Sequence, residues 1–226
     1  STGRVAAGAL GRTHGFDVRI DGETAPIDPE GVVAVPGGAA SADLVVVNDE
    51  DLTYAISRLD ERSTDVALAY VGTIDAAITR AVIWASLWNA VRDGLLDPRR
   101  FFVAVLNAVP SETEPAIRDR LLLFVAEAIS SFLPGQARAD VHDQVLATTI
   151  RLSRETEDSD AWRSYTRAFI AEFAARGGDE YEATVRDLAS SDNPDIAWRA
   201  RRALAARGLV DEAAIEAWRS ADGSGE

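Results

Sequence analysis

The chain has 226 residues, of which 47% are apolar, and this is enough for one substantial hydrophobic core or two small ones. Its 37 acidic residues outnumber its 23 basic ones, and a net charge of -14 argues against nucleic-acid and anionic-membrane partners, which need a cationic face. The sequence contains neither cysteine nor lysine, which excludes disulfides, thiolate metal sites, Schiff-base chemistry and the lysine of a phosphate-binding loop.

Strands are predicted in the N-terminal part of the chain, where glycine and proline separate short apolar runs. Apolar and polar residues alternate from Phe16 to Ile20, while Val32 to Val35 and Leu44 to Val47 are compact apolar runs. Asp21-Gly22 is typical of a hairpin turn, because glycine tolerates the positive φ that such turns require. Tyr54 to Leu59 is predicted to form one more strand, with a short helix as the alternative.

From Ser63 onward the pattern predicts one helix after another. Ser63 is the predicted N-cap of the first helix, which Gly72 ends. Thr73 is predicted to begin a longer helix that ends at Gly94 and carries apolar residues along one face. Two tryptophans of that face lie one turn apart, so we expect them in the core; they are Trp84 and Trp88.

Two further helices are marked by capping signals. Asp97-Pro98 supplies an N-cap and a first-turn proline to the first of them. Ser111-x-x-Glu114 has the spacing of a capping box ahead of the second, and Pro134-Gly135 is predicted to end it.

The rest of the chain is predicted to form more helices, followed by a disordered tail from Ala221 to Glu226. Short connections favour antiparallel neighbours, so we expect consecutive helices to stack as hairpins of a helical array. No fixed repeat period is present, so the array is expected to be irregular. The predicted helices are Val141 to Leu152, Ser159 to Arg176, a shorter one through Val185 and Leu188, Asn193-Pro194 to Arg207, and Asp211 to Trp218.

Two histidines are candidates for catalysis or metal binding, His14 and His142. A His-Glu-x-x-His zinc site needs two histidines one helical turn apart, which this sequence does not contain. Asp140 and Asp143 flank His142 and suggest a metal site, but a solvated or carboxylate-paired histidine near a helix N-terminus is the favoured interpretation. His14 suggests the base of a Ser-His-Asp triad, but no Gly-x-Ser-x-Gly motif accompanies it, and Gly223-Ser224-Gly225 lies in the tail.

Acidic clusters are further candidates. Asp49 and Asp51 form one carboxylate group in the sequence, and Glu155, Glu157 and Asp158 form another. Because acidic residues are so numerous, we interpret both clusters as solvated surface rather than as glycosidase catalysts.

One local basic patch surrounds Trp198. A phosphate or RNA contact is one hypothesis for it. The favoured hypothesis is an Arg-rich helix that is salt-bridged to acidic residues and whose side-chain stems cover apolar surface. The arginines are Arg199, Arg201, Arg202 and Arg207.

Several stretches carry a family resemblance. Asn48 to Ala55, followed by Arg58 to Ser63, resembles the junction after the catalytic domain of aminopeptidase N, especially in actinobacterial-type enzymes. Thr79-Arg80-Ala81, continuing through Trp84 to Trp88 and Arg92-Asp93, is similar to the next helix of that family. The region from Ala197 to Trp218 is similar more loosely.

The resemblance implies a zinc aminopeptidase with an N-terminal β-domain, a thermolysin-like catalytic domain, a small β-sandwich and a helical superhelix that caps the active-site chamber. This chain resembles the last two parts only, so the resemblance implies a protein that extends beyond both ends of it. The family's Gly-x-Met-Glu-Asn motif, zinc motif, downstream Glu ligand and catalytic Tyr have no match in this sequence. Tyr54 matches a junction tyrosine, so no catalytic or metal-binding residue is assigned.

We expect a mostly α-helical fold, with an irregular superhelix of HEAT/ARM-like hairpins over residues 63–226 preceded by a β-sandwich segment over residues 1–62. The expected function is that of the non-catalytic C-terminal portion of an aminopeptidase N-like zinc metallopeptidase, which caps the chamber and restricts peptide access. The chain alone should be inactive and hold no cofactor, with zinc in the parent enzyme. The expected partners are the upstream catalytic domain and the parent's peptide substrates, without nucleic acid or membrane, and the expected location is cytoplasmic.

Two other functions remain open at this point. The first alternative is a free-standing helical-repeat scaffold that binds a protein partner in its groove. The second is an independent hydrolase that uses His14 or His142.

Overall fold

The computed structural model describes residues 16–20, 23–27, 43–49, 51 and 56–221. These residues form nine α-helices and three short β-strands, which confirms a mostly α-helical fold. The chain divides into two compact units, Ser1–Ile117 and Arg118–Glu226. The elements are β1 (Phe16–Ile20), β2 (Glu23–Ile27), β3 (Val45–Val47), α1 (Glu61–Tyr70), α2 (Ala77–Arg92), α3 (Pro98–Ala108), α4 (Pro115–Ser131), α5 (Gly135–Glu155), α6 (Ser159–Arg176), α7 (Asp179–Leu188), α8 (Pro194–Ala206) and α9 (Glu212–Ala221).

The three strands of the first unit form one antiparallel sheet in the order β2-β1-β3. Ile20 lies opposite Glu23 in the antiparallel pairing of β1 with β2, and the residues of the predicted turn, Asp21 and Gly22, lie outside the described ones. β3 confirms most of the strand predicted from Leu44 to Val47. The strand predicted from Val32 to Val35 lies outside the described residues. A β-sandwich needs two packed sheets, and the described residues form one, so the sandwich stays a prediction.

Helix α1 begins earlier than predicted, because Asp60 rather than Ser63 is its N-cap. Asp60 Oδ1 accepts a hydrogen bond from Ser63 N at 2.8 Å, which satisfies one of the free N–H groups of the first turn. The buried Ser63 hydroxyl accepts a hydrogen bond from Val45 N at 3.0 Å and so joins α1 to β3. The strand predicted from Tyr54 to Leu59 is wrong for residues 56–59, which have no regular structure, and its first two residues lie outside the described ones.

Helix α2 begins at Ala77 rather than at Thr73. A single 3-10 turn, Val71–Thr73, follows α1, and the extended backbone of Ile74 separates that turn from the helix. The predicted end is confirmed, since Gly94 follows α2 with a φ of +71°, in the left-handed region that favours glycine.

The aromatic core of the first unit lies between α2 and α3. Trp84 and Trp88 are buried, as predicted, and both contact Phe101 of α3. The ring centroid of Phe101 is 5.9 Å from that of Trp84, in an edge-to-face arrangement, and 5.6 Å from that of Trp88. Aromatic pairs at such distances stabilise a fold beyond the effect of the area they bury.

Helix α3 begins as predicted, and helix α4 does not. Asp97 caps α3, its carboxylate accepting from the backbone N–H two residues later at 2.8 Å. Ser111, by contrast, ends a 3-10 turn, Val109–Ser111, and its hydroxyl donates to the last carbonyl of α3 at 3.0 Å. The capping box predicted for Ser111 and Glu114 is therefore wrong, and α4 begins at Pro115, which needs no partner for an N–H.

A buried ion pair joins α2 to the segment between α3 and α4. Arg80 Nε and Nη2 donate to the two carboxylate oxygens of Glu112 at 2.9 and 2.6 Å, and the two side chains are 8% and 2% exposed. Arg80 Nη1 donates to the carbonyls of Ile74 and Asp75, and Glu112 also accepts from Glu114 N at 2.9 Å. The hydrogen bonds with Glu112 raise the pKa of the Arg80 guanidinium further above its usual range, although burial opposes them.

The second unit is an array of helices in which α5 packs on α6, α6 on α8, and α7 on α8. Helix α4 ends at Ser131, and α5 begins at Gly135 with Pro134 as its N-cap, so the predicted Val141 to Leu152 is only the inner part of α5. The helix predicted from Ser159 to Arg176 is confirmed as α6. The core of this array consists of Leu146, Ile150, Phe169, Ile170, Phe173, Val185, Ala189, Ile196, Ala200, Ala203 and Leu204.

Two consecutive glycines form the connection between α6 and α7. Gly177 has φ +82° and ψ -158°, and Gly178 has φ +136°. A Cβ atom on Gly177 would lie 2.5 Å from Arg207 Nη2, because the guanidinium of this C-cap residue of α8 covers the glycine. Glycine is therefore required at residue 177 by the backbone conformation, whereas the guanidinium stands at the end of a flexible side chain that can shift away from a Cβ atom.

Helix α9 lies beyond α8, a few residues from the end of the chain. Its bounds extend past the predicted Trp218 to Ala221, and none of its residues is buried. Disorder is predicted for the tail from Ala221 to Glu226, and residues 222–226 of that tail lie outside the described ones.

We expect Glu112→Gln to lower the free energy of unfolding by about 3–5 kcal/mol, because it leaves the Arg80 charge buried without a counter-ion. The matched control is Glu155→Gln, which removes an exposed i,i+4 pair with Arg151 and should cost about 0.5 kcal/mol or less. Urea titrations of both variants provide the measurement. A cost for Glu112→Gln no larger than that of the control would contradict the prediction.

We expect Gly177→Ala to destabilise the chain by about 1–3 kcal/mol, because its φ and ψ lie in a region that is essentially reserved for glycine. Gly135→Ala is the matched control, since a Cβ there meets no atom within 4 Å and the residue is helical. It should be neutral or stabilising by up to about 1 kcal/mol. Thermal unfolding followed by circular dichroism compares the two, and equal melting temperatures would show that no strain is present at Gly177.

Candidate functional site

No metal centre is found in the described part of the chain. Among those residues no three histidine, aspartate or glutamate side chains lie close enough together to hold a metal ion. The zinc that the resemblance implies therefore has no ligand set within residues 43–49, 51 and 56–221. His14 lies outside the described residues, as do Gly223, Ser224 and Gly225.

His142 forms a partly buried pair with Glu172, which joins α5 to α6. The imidazole Nδ1 contacts Glu172 Oε2, and the two side chains are 14% and 6% exposed. Of the favoured interpretation, the carboxylate pairing is confirmed, with Glu172 rather than a flanking aspartate as the partner. The position near a helix N-terminus is wrong, because α5 begins seven residues earlier, at Gly135. Asp143 pairs instead with Arg176 at 3.6 Å, and Asp140 is exposed.

The carboxyl group of Glu172 is the buried titratable group of this pair. Burial raises the pKa of Glu172, while the hydrogen bond and the charge of His142 act in the opposite direction. The pKa of Glu172 is raised overall, because the cost of removing its carboxylate from water exceeds the stabilisation by His142, which is itself titratable. The pair holds α5 and α6 together.

The acidic clusters have different environments. Asp49 is 1% exposed, so its interpretation as solvated surface is wrong, whereas Asp51 is exposed and accepts a hydrogen bond from Asn48 Nδ2 at 3.3 Å. In the second cluster Asp158 is the N-cap of α6, and hydrogen bonds from two backbone N–H groups lower the pKa of its carboxyl group. Glu155 forms the exposed ion pair with Arg151.

Arg199 and Arg201, two of the arginines around Trp198, make intramolecular contacts. Arg199 Nε donates to Asp195 at 2.9 Å, and Asp195 also accepts from Arg167 Nε at 2.8 Å. Arg201 Nε donates to the carbonyl at the end of α7, and its guanidinium lies 5.3 Å from the ring centroid of Trp198 and 5.7 Å from that of Trp218. These contacts agree with an Arg-rich, salt-bridged helix, and the two tryptophans connect α8 with α9 through Arg201.

An open groove of about 390 Å³ lies in the first unit and is lined by residues of α1, α2, α3 and the connections before α1 and after α2. Two arginines and two acidic residues form its walls, and leucines form its apolar part. Sequence reasoning did not find this groove. Its one sequence signal is the pair Glu61 and Asp65, which are four residues apart and so share a helix face.

None of the described helices combines the length and the apolar composition that a membrane span requires.

We expect the stability advantage of the native chain over Glu172→Gln to shrink as the pH rises from about 4 to about 7. The raised pKa of Glu172 means that its contribution is fully present below the unfolded-state pKa and is lost as the buried carboxyl ionises. Urea unfolding at several pH values checks this, with Glu155→Gln as the exposed control. A difference that stays constant or grows with pH would contradict the expected direction.

Comparisons with known proteins identify the family. Residues 44–222 match the family model described as ERAP1-like C-terminal domain. Aminopeptidase N of Streptomyces lividans is 32% identical over 168 residues, which cover 73% of this chain and 19% of the length of that protein. The resemblance to aminopeptidase N seen in the sequence is therefore confirmed, and the chain belongs to the family of ERAP1-like C-terminal domains.

Proposed function

We propose that this chain is the non-catalytic C-terminal part of an aminopeptidase N-like zinc metallopeptidase, in which it caps the active-site chamber and restricts the access of peptides. The observation that carries this proposal is the 32% identity to a protein named aminopeptidase N, over an alignment that covers most of this chain and 19% of the relative. In this proposal the chain does not carry out hydrolysis itself and acts on the reaction through the catalytic domain to which it is joined.

The chemistry-bearing side chains support a structural role. His142 is engaged with Glu172, Arg80 with Glu112, and Asp195 with two arginines. These groups join helices, or a helix and an interhelical segment, within each unit. The proposal therefore assigns hydrolysis, and the zinc that supports it, to the upstream catalytic domain.

The contribution of this chain is steric. Helical hairpins that form a wall over a reaction chamber limit entry to short or unfolded peptides and exclude water from the chamber. We propose for this purpose an irregular HEAT/ARM-like superhelix over residues 63–226, preceded by a β-sandwich segment over residues 1–62. The consecutive packing of α5 on α6, and of α7 on α8, supports the hairpin arrangement in the second unit. A cytoplasmic location is part of the same proposal.

The alternative is a free-standing helical scaffold that binds a protein partner. The two functions differ in whether a catalytic domain precedes this chain in the same polypeptide. Determining the coding frame upstream of Ser1 distinguishes them, because a His-Glu-x-x-His motif with a downstream Glu supports the peptidase. A start codon immediately before Ser1 supports the scaffold.

Deleting residues 44–222 from the parent enzyme should raise kcat/KM for long peptides relative to a single-residue anilide by about tenfold, equivalent to about 1.4 kcal/mol. The physical reason is that the deletion removes the wall that hinders long substrates. Activity on the anilide and the zinc content of the truncated enzyme serve as controls for its folding. The isolated 226-residue chain should show no turnover of either substrate.

Two results would contradict the proposal. One is an unchanged preference between long and short substrates in a truncated enzyme that still binds zinc. The other is turnover by the isolated chain that is lost in the His142→Ala variant. That result would favour the alternative of an independent hydrolase.

A further inference from the structure

The groove of the first unit combines cationic, anionic and apolar groups within about 390 Å³. That volume is at the small end of the range for ligand sites in proteins. All its lining residues belong to the segment from Arg58 to Arg100, and each is described. The chemistry of these groups indicates what kind of small molecule the groove fits.

The cationic groups are the guanidinium groups of Arg58 and Arg100. Arg58 Nη2 donates to Asp93 at 2.8 Å, and Arg100 Nη2 donates to Asp65 at 2.6 Å. Each ion pair uses one nitrogen, whereas a guanidinium has five N–H donors in a fork that matches a carboxylate. Both side chains are more than half exposed, so the remaining donors are accessible to a ligand carboxylate.

The anionic groups are the carboxylates of Glu61 and Asp65, one helical turn apart on α1. Like charges at this spacing repel each other. Arg100 neutralises Asp65 in part, while Glu61 forms no ion pair with any residue that the structure describes. A cationic group bound between the two carboxylates relieves this repulsion, and an ammonium group has the three donors that such a position requires.

The apolar groups are contributed by leucines. Leu87 and Leu96 are buried, and Leu95 beside them is 66% exposed. A side chain of 66% exposure offers apolar area that a ligand can cover, and covering apolar area stabilises a complex. A small aliphatic side chain fits this surface and a volume of this size.

We propose that this groove binds a free α-amino acid with an aliphatic side chain, with its carboxylate at Arg58 and Arg100, its ammonium at Glu61 and Asp65, and its side chain on the leucines. The three kinds of group in one groove match the three parts of such a zwitterion. A simple carboxylate or a simple amine contacts one of the two charged walls only. The inference concerns binding by this chain itself and does not depend on the proposed role in a peptidase.

The experiment is a titration of the full 226-residue chain with L-leucine, followed by changes in its ¹H–¹⁵N NMR spectrum. Saturable shifts confined to residues 58–65 and 86–100 are the expected result. Two analogues test the chemistry: L-leucinamide lacks the carboxylate, and 4-methylpentanoate lacks the ammonium. Each should bind about tenfold more weakly than L-leucine, as expected for the loss of a charge-assisted contact.

Matched variants locate the site. Arg58→Gln and Glu61→Gln should each weaken L-leucine binding by a similar factor, and both residues are at least partly exposed, so the fold is expected to persist. Arg151→Gln, which breaks an exposed ion pair on α5, should leave binding unchanged. Circular dichroism of each variant confirms its folding.

Three outcomes would overturn the proposal. The first is the absence of saturable binding of L-leucine, and the second is binding of the two analogues as tight as that of L-leucine. The third is unchanged binding in folded Arg58→Gln and Glu61→Gln chains. None of these outcomes bears on the peptidase proposal, which is tested by the upstream sequence and by substrate preference.

Discussion

The first unit depends on the buried ion pair between Arg80 and Glu112. Four donor bonds from one guanidinium hold together the start of α2, the extended residues before it and the segment that leads into α4. A buried charge pair contributes little net stability compared with apolar packing, but it strongly disfavours any arrangement that separates its members. The pair therefore specifies how these segments join, while the aromatic cluster of Trp84, Trp88 and Phe101 supplies apolar stabilisation.

Sequence patterns predicted the elements whose signals are local. Asp97 before Pro98, and the apolar periodicity of α6, were sufficient because a cap or an amphipathic face is determined within a few residues. The errors at Ser63 and Ser111 have a different cause. Ser63 accepts a hydrogen bond from a strand N–H eighteen residues away, a tertiary contact that has no local signature. Ser111 donates to the last carbonyl of α3, three residues before it, and such a local hydrogen bond competes with capping of the next helix.

The candidate functional sites show the same contrast between local sequence signals and contacts that depend on tertiary packing. The sequence singled out His142 and left it either solvated or paired with a carboxylate. Its partner Glu172 lies on the next helix, so the identity of that partner depends on how α5 packs on α6. The groove has no sequence signature beyond two acidic residues on one helix face. Function was reached through family resemblance rather than through reactive groups, because the charged side chains of this chain are used mainly to hold helices together.

Helix α9 has a consequence for the dynamics of the chain. It has no buried residue; Trp218 packs at the edge of the core of the second unit and, like Trp198 of α8, contacts the guanidinium of Arg201. Elements with little buried area open at low free energy without unfolding of the rest. The backbone amides of α9 should therefore exchange with deuterium well before those of α6 and α8, whose buried residues form the core of the second unit. Indole fluorescence of Trp218 would report the same opening, since its environment changes when the guanidinium leaves its ring.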